Sequence, residues 1–112
     1  MAQSFKRLGA INPTANTQTN VYVVPAATEA VISTITICNQ SVANVSYSLM
    51  LMNASEYAAA APTATFLVRG ATVPAADSII LTIGITANAG AILAANTNNT
   101  SVSFSAFGSE IT

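Results

Sequence analysis

Apolar and polar residues alternate with period two along much of the chain. Val45, Tyr47, Leu49 and Leu51 interleave with Ser46, Ser48, Met50 and Met52, and Val102 and Phe104 interleave with Ser101, Ser103 and Ser105. Successive side chains of a strand point to opposite faces of its sheet, so each pattern predicts a β-strand with one face in a core. The two methionines sit on the second face of the first stretch, which predicts cover on that face too. Ala30 to Asn39 (AVISTITICN) and Ser78 to Ile85 (SIILTIGI) are rich in β-branched residues, which suit a pleated surface and crowd a helix. Asn20 to Val24 and Thr65 to Arg69 are shorter strand candidates. Gly84, inside its run, predicts a bulge or a close backbone approach. The apolar phase of the clearest strands, Leu49, Leu51, Leu81, Ile83, Val102 and Phe104, is the expected core.

Turn chemistry separates these runs. Pro25 and Pro74 each follow a valine and precede two alanines and a strand, in VPAATEAVIST and VPAADSIILT. Proline fixes its own φ and biases the preceding residue to extended geometry, so each VPAA closes one strand and turns the chain. Asn53 to Ala61 (NASEYAAAA) contains helix formers ahead of Pro62 and reads as a connecting loop with one helical turn. Asn96 to Thr100 reads as a polar turn joining the last two strands. Short strands with turns between them, and no helix–strand alternation, predict an all-β fold. The expected form is a single antiparallel β-sandwich, jelly-roll or Ig-like, of about seven or eight short strands. Residues 1–19 read as an N-terminal arm with the first edge strand, and residues 20–112 as the sandwich domain.

Composition narrows what such a domain does. The chain has 112 residues, enough for one core without disulfides or metal. Only 6% are charged, against about 25% in an average domain: Lys6, Arg7, Glu29, Glu56, Arg69, Asp77 and Glu110. With a net charge of -1 and no basic cluster, nothing neutralises phosphates, which argues against nucleic-acid binding. A surface this poor in charge is either polar and uncharged, resting on Ser, Thr and Asn, or covered by copies of the chain or by a larger assembly. No apolar stretch approaches the roughly 20 residues of a membrane-spanning helix. No hydrophobic run follows Lys6 and Arg7, so the expectation is a chain without a signal peptide, made and folded in the cytoplasm.

The chain offers little chemistry. Histidine is absent, which removes the commonest general base and metal ligand, and Cys38 ends an apolar β run as an expected buried structural thiol. Glu29 and Asp77 follow the two VPAA turns. If those turns were neighbours, the two carboxylates would form a pair of the kind glycosidases use, but two solvated turn acids is the preferred reading. Sequons at Asn39, Asn44, Asn53, Asn98 and Asn99 are expected from an Asn/Ser/Thr-rich composition. Tyr57 is the aromatic expected in an exposed loop, whereas Tyr47 and Phe104 belong to the core. The sequence therefore predicts no catalytic residue, metal site, cofactor or small-molecule substrate, and no enzyme activity.

Several phrases carry a resemblance over nearly the whole chain. They are Met1 to Lys6 with Leu8-Gly9, Val21 to Ala26, Ile37-Cys38-Asn39, Val73-Pro74-Ala75, Ile83-Gly84-Ile85 and the ending Phe107 to Thr112. In this order they resemble small β-sandwich structural proteins of tailed bacteriophages, especially those of cyanobacteria. The chain departs from that group in its alanine-rich mid-chain loop and its scarcity of charge. The resemblance implies a non-enzymatic virion protein, either a capsid decoration (cement) protein or a tail, neck or fibre component. Its expected partners are the major capsid protein or other virion proteins and further copies of itself, in a virion assembled in the host cytoplasm. A carbohydrate- or receptor-binding module is the alternative. One or both of the segments 2–19 and 107–112, least committed to the core by pattern, are expected to pair with a neighbouring chain; the alternative is that they close the sandwich of their own chain.

Overall fold

The computed structural model describes residues 3–53 and 66–112. It contains eight strands: β1 (Gln3–Ile11), β2 (Thr19–Val23), β3 (Glu29–Asn39), β4 (Val45–Met52), β5 (Phe66–Val73), β6 (Ser78–Ala87), β7 (Ile92–Thr97) and β8 (Val102–Ile111). They form two four-stranded sheets, ordered β1-β8-β3-β6 and β2-β7-β4-β5, with every pairing antiparallel. Every connection except β4 to β5 passes from one sheet to the other. That order is the double-sheet jelly roll, and it decides between the two sandwich types that the alternation pattern allowed. The helical turn expected over 53–61 lies outside the described residues, apart from the irregular Asn53.

The inner faces of the two sheets make one core. Ile32, Ile35 and Ile37 from β3, Tyr47 and Leu49 from β4, and Val102 and Phe104 from β8 are all buried in it. The Tyr47 and Phe104 rings pack tilted across the core, 6.2 Å between centroids, a favoured aromatic geometry. Leu49, Val102 and Phe104 are as enclosed as their alternation predicts, but Leu51, Leu81 and Ile83 are half-buried. Leu81 and Ile83 lie on β6, which closes one side of its sheet and has a neighbour only in β3. The second face of β4 is covered as expected, since Met50 and Met52 are buried with Ile92 and Ala94, and Phe66 packs beside them. Strand β7 is thus buried on both faces. It shows no alternation, which is why no strand is legible there and why Asn96 and Thr97 read as turn rather than strand.

Bulges set the phase of the central sheet. Leu8 in β1 and Ser33 in β3 are the extra residues on either side of Phe107, and Ser33 Oγ donates to the Phe107 carbonyl at 3.1 Å. The bulge explains why Ile32 and Ile35, three residues apart, both face inward. It also draws β3 so close to Gly108 that a Cβ there would overlap the Val31 carbonyl oxygen. Gly84 marks a bulge, as expected, where two residues of β6 face Ser33. A Cβ at Gly84 would meet nothing, so close approach is not its reason.

The VPAA turns share a geometry but not a location. Ala27 has φ 55° and Ala76 φ 54°, both in the left-handed region. One turn leads into the start of β3, whereas Asp77 meets its end, where its carbonyl accepts from Asn39 N–H at 2.9 Å. The length of β3 is roughly 33 Å at a strand's rise per residue. Glu29 and Asp77 therefore stand at opposite ends of the sandwich, and no carboxylate pair exists between them.

Beside Asp77, Asn39 is buried at 1% exposure and holds two connections together, β3–β4 and β5–β6. Its Nδ2 donates to the carbonyls of Ala43 (2.9 Å), Val73 (3.1 Å) and Pro74 (3.0 Å), and its Oδ1 accepts from the backbone N–H and hydroxyl of Ser41. Its sequon is closed to modification while the chain is folded.

Two predictions follow from the loops. Asn39→Ala strands several polar groups and lowers stability by about 3 kcal/mol, and Asn39→Asp costs at least as much, because a carboxylate then faces three carbonyl oxygens. Chemical denaturation of both variants measures this; loss of only a few tenths would show the network to be replaceable by water. At the turns, an L-residue in the left-handed region costs about 1–2 kcal/mol, of which glycine's extra chain entropy returns roughly half. Ala27→Gly and Ala76→Gly should each stabilise the fold by about 0.5 kcal/mol, additively in the double variant because the sites are far apart.

Candidate assembly surface

Three ionisable side chains, Lys6, Tyr22 and Glu110, meet at one place. On β8, Glu110 alternates in phase with Phe104 and Ala106 and so points between the sheets. There its Oε2 accepts from the Tyr22 hydroxyl of β2 at 2.5 Å, and its Oε1 meets Lys6 Nζ of β1 at 2.6 Å. One carboxylate thereby ties the edge strand β1 to the opposite sheet. The Glu110 side chain is 13% exposed and that of Lys6 50%. The Lys6 ammonium, and after it the Tyr22 hydroxyl, hold the Glu110 carboxyl below its ordinary range. Burial, reinforced by the hydrogen bond and the negative charge of Glu110, pushes the Tyr22 phenol far up. Nearby, Gly9 lets β1 lie over β2, for a Cβ there would overlap the Val21 carbonyl.

Within this chain both terminal segments form strands of the same sheet. Residues Phe107 to Ile111 belong to β8, which lies between β1 and β3 and has both edges filled. The N-terminal segment forms β1, with one edge on β8 and the other at the margin of the sheet.

The outer face of the β1-β8-β3-β6 sheet carries no second layer among the described residues. The register sets its side chains in rows across the strands: Phe5–Ser109–Val31–Thr86, Arg7–Phe107–Thr34–Thr82, Ala10–Ser105–Thr36–Ile80, and Ser103–Cys38–Ser78. Arg7 carries the single charge among them. Phe5 is 80% exposed and Phe107 38%. Phe5, Val31, Ser33, Gly108 and Ser109 line a shallow groove of about 240 Å³. Such a face can bury apolar surface and offer hydroxyls to a partner.

The other candidate residues are dispersed. Cys38 is half-buried on this outer face and not in the core, because Asn39 takes the inward position after Ile37. Glu29 and Asp77 are exposed, and the Asp77 carboxylate accepts from Ser78 N–H. Tyr57 lies outside the described residues. Of the sequon asparagines, Asn44, Asn98 and Asn99 use their side-chain oxygens to accept from the backbone N–H groups of Ala75, Ser46 and Ser101, and Asn53 is exposed. Among the described residues no three Cys, Asp or Glu side chains gather as a metal site would require. The Tyr22–Glu110–Lys6 cluster was not legible in the sequence, because Tyr22 and Glu110 are 88 residues apart.

The cluster predicts the acid and alkaline limits of the fold. Because the Glu110 pKa is depressed in the folded chain, its contribution is present above the unfolded value near 4.5 and is lost as pH falls through the lower folded value. Because the Tyr22 pKa is raised, its contribution is intact below the unfolded value near 10 and is lost as pH rises beyond it. In denaturation across pH, Glu110→Gln should flatten the acid limb. Tyr22→Phe should lessen the alkaline one without abolishing it, since burial also raises the Tyr47 phenol. Unchanged limbs in both variants would show that the cluster adds nothing to stability.

Compared with protein-family models the chain matches none, and a search of curated proteins returns no match, so no family is assigned from these comparisons.

Proposed function

We propose that the chain is a non-enzymatic structural protein of a tailed-bacteriophage virion, a capsid decoration protein that seats on the major capsid protein. A place in the tail, neck or fibre apparatus is the variant within the same class. The observation that carries the reading is the charge-poor outer face of the β1-β8-β3-β6 sheet, where Phe5 and Phe107 stand exposed near a groove. An aromatic side chain left 80% exposed on a rigid strand gains nothing for a free monomer and is the sort of anchor that protein interfaces bury. The jelly roll, the scarcity of charge and the resemblance of the sequence support the same reading. The Phe5–Phe107 pair among hydroxyls is also what a carbohydrate-binding face would present, which favours a receptor-binding module as the second reading.

Quantitative mass spectrometry of particles from the producing host separates these readings. A decoration protein should appear at on the order of hundreds of copies, as the symmetry of a capsid requires, and a tail part at far fewer. The double variant Phe5→Thr, Phe107→Thr keeps β-forming side chains at both positions. It should fold as the parent does and fall at least about tenfold in particle incorporation, the equivalent of 1.4 kcal/mol. Absence of the chain from particles, with binding on a glycan array, would replace the virion reading by the recognition module.

A further inference from the structure

A sandwich of two open sheets has four edge strands, here β1, β6, β2 and β5. Each presents a row of backbone N–H and C=O groups that no described strand fills, and folded proteins protect such rows with charge, brevity, bulges or proline. Three of the four carry a guard. Strand β1 has Lys6 and Arg7 and a bulge at Leu8. Strand β2 has five residues and a bulge at Val21. Strand β5 has two irregularities of register, Gly70 at φ 69°, and Arg69 lying 4.8 Å over the Phe66 ring. Strand β6 differs. It runs ten residues, SIILTIGITA, with no charged residue and no proline, and its one bulge lies toward its far end at Ile83-Gly84. Ser78, Ile80 and Thr82 are exposed, Ile80 at 66%, and among the described residues no strand pairs with the second edge.

We infer that the free edge of β6, over Ser78 to Thr82, is an interface for a second copy of this chain. The two β6 strands pair antiparallel about a two-fold axis and join two four-stranded sheets into one of eight. Charge selects this occupant. A two-fold axis brings each side chain near its own copy, so self-pairing through β1 would set Lys6 and Arg7 against the same residues and repel. Self-pairing through β6 opposes only Ser, Ile, Leu and Thr, and places Ile80 close to its symmetry mate. A heterologous edge pairing would leave further edges free to extend into a fibre, whereas β6 with β6 closes on itself. This inference is independent of the virion reading, because it concerns a different edge from the Phe5–Phe107 groove.

The test uses the full chain. Light scattering after size exclusion, over a concentration series, should give twice the mass of one chain at the upper end. Thr82→Lys and, separately, Ile80→Lys should weaken the dimer by about tenfold or more, with circular dichroism and thermal midpoint close to the parent's. In a Cys38→Ser background, Ile80→Cys or Thr82→Cys should be linked into dimers by a short bis-maleimide, and Phe5→Cys should not. The Phe5→Thr, Phe107→Thr variant should dimerise as the parent does, so failure of the face and failure of the edge are read separately. A monomer throughout the series, a dimer indifferent to both lysine variants, or cross-linking at Phe5 rather than at β6 would each overturn the inference.

Discussion

With seven charged side chains in 112 residues, this chain can hold its two sheets together only by burying apolar surface between them. The burden falls on Ile32, Ile35, Ile37, Leu49, Leu93, Val102 and Phe104, each essentially sealed from solvent. No disulfide is possible with one cysteine. Polar interactions therefore take another role: they fix where loops and edges lie once the faces have closed. Asn39 does this at one end by saturating its amide on three carbonyls of two connections. The Tyr22–Glu110–Lys6 cluster does it at the margin between β1 and β2, where apolar cover thins and an edge strand needs a tether to the opposite sheet.

The order of strands gives the C-terminal segment a weight that its composition hides. Strand β8 is the last made and fills the slot between β1 and β3, so three strands of one sheet become continuous only when it is in place. Its residues alternate between two demands. Phe104 fills the core, while Gly108 must be small because the Ser33 bulge drives β3 against it. A β-topology in which nearly every connection crosses between sheets closes long loops before any contact rewards them, which places the fold among slow, non-local folders.

How much of this was legible follows from the range over which each feature is specified. Strands β3, β4, β6 and the first half of β8 announce themselves locally, because one wet face and one dry face impose period two. Strand β7 is dry on both sides and alanine-rich, so its sequence carries no period. The half-burial of Leu81 and Ile83 depends on β6 being an edge, which is a property of topology and not of the run itself. Glu110 read as a charge in an uncommitted tail because its partners come from β1 and β2. The outward Cys38 was missed for a smaller reason: the inward place beside it belongs to Asn39, and only the saturated amide makes a buried asparagine better there than a thiol. The assembly face was legible only as a deficit of charge; its rows of hydroxyls and its two phenylalanines appear once register is known.

The repeated VPAA phrase shows how a local sequence echo arises without a duplicated domain. Strands β2 and β5 are the two edges of one sheet, and each hands the chain to the other sheet, to β3 and β6 respectively. Both transfers pose the same problem. The edge strand must stop, its last apolar residue must stay in the core, and the backbone must reverse across the gap between sheets. Val24 and Val73 are buried at 2% and 0%, proline ends the ladder because it has no N–H to donate, and the second alanine turns the chain through the left-handed region. Yet the two turns lie at opposite ends of β3. A two-fold axis that reversed the strand order of each sheet would exchange β3 with β8, not with β6, so it could not superpose one transfer with its strand on the other. The likeness belongs to the crossing and goes no further than its four residues.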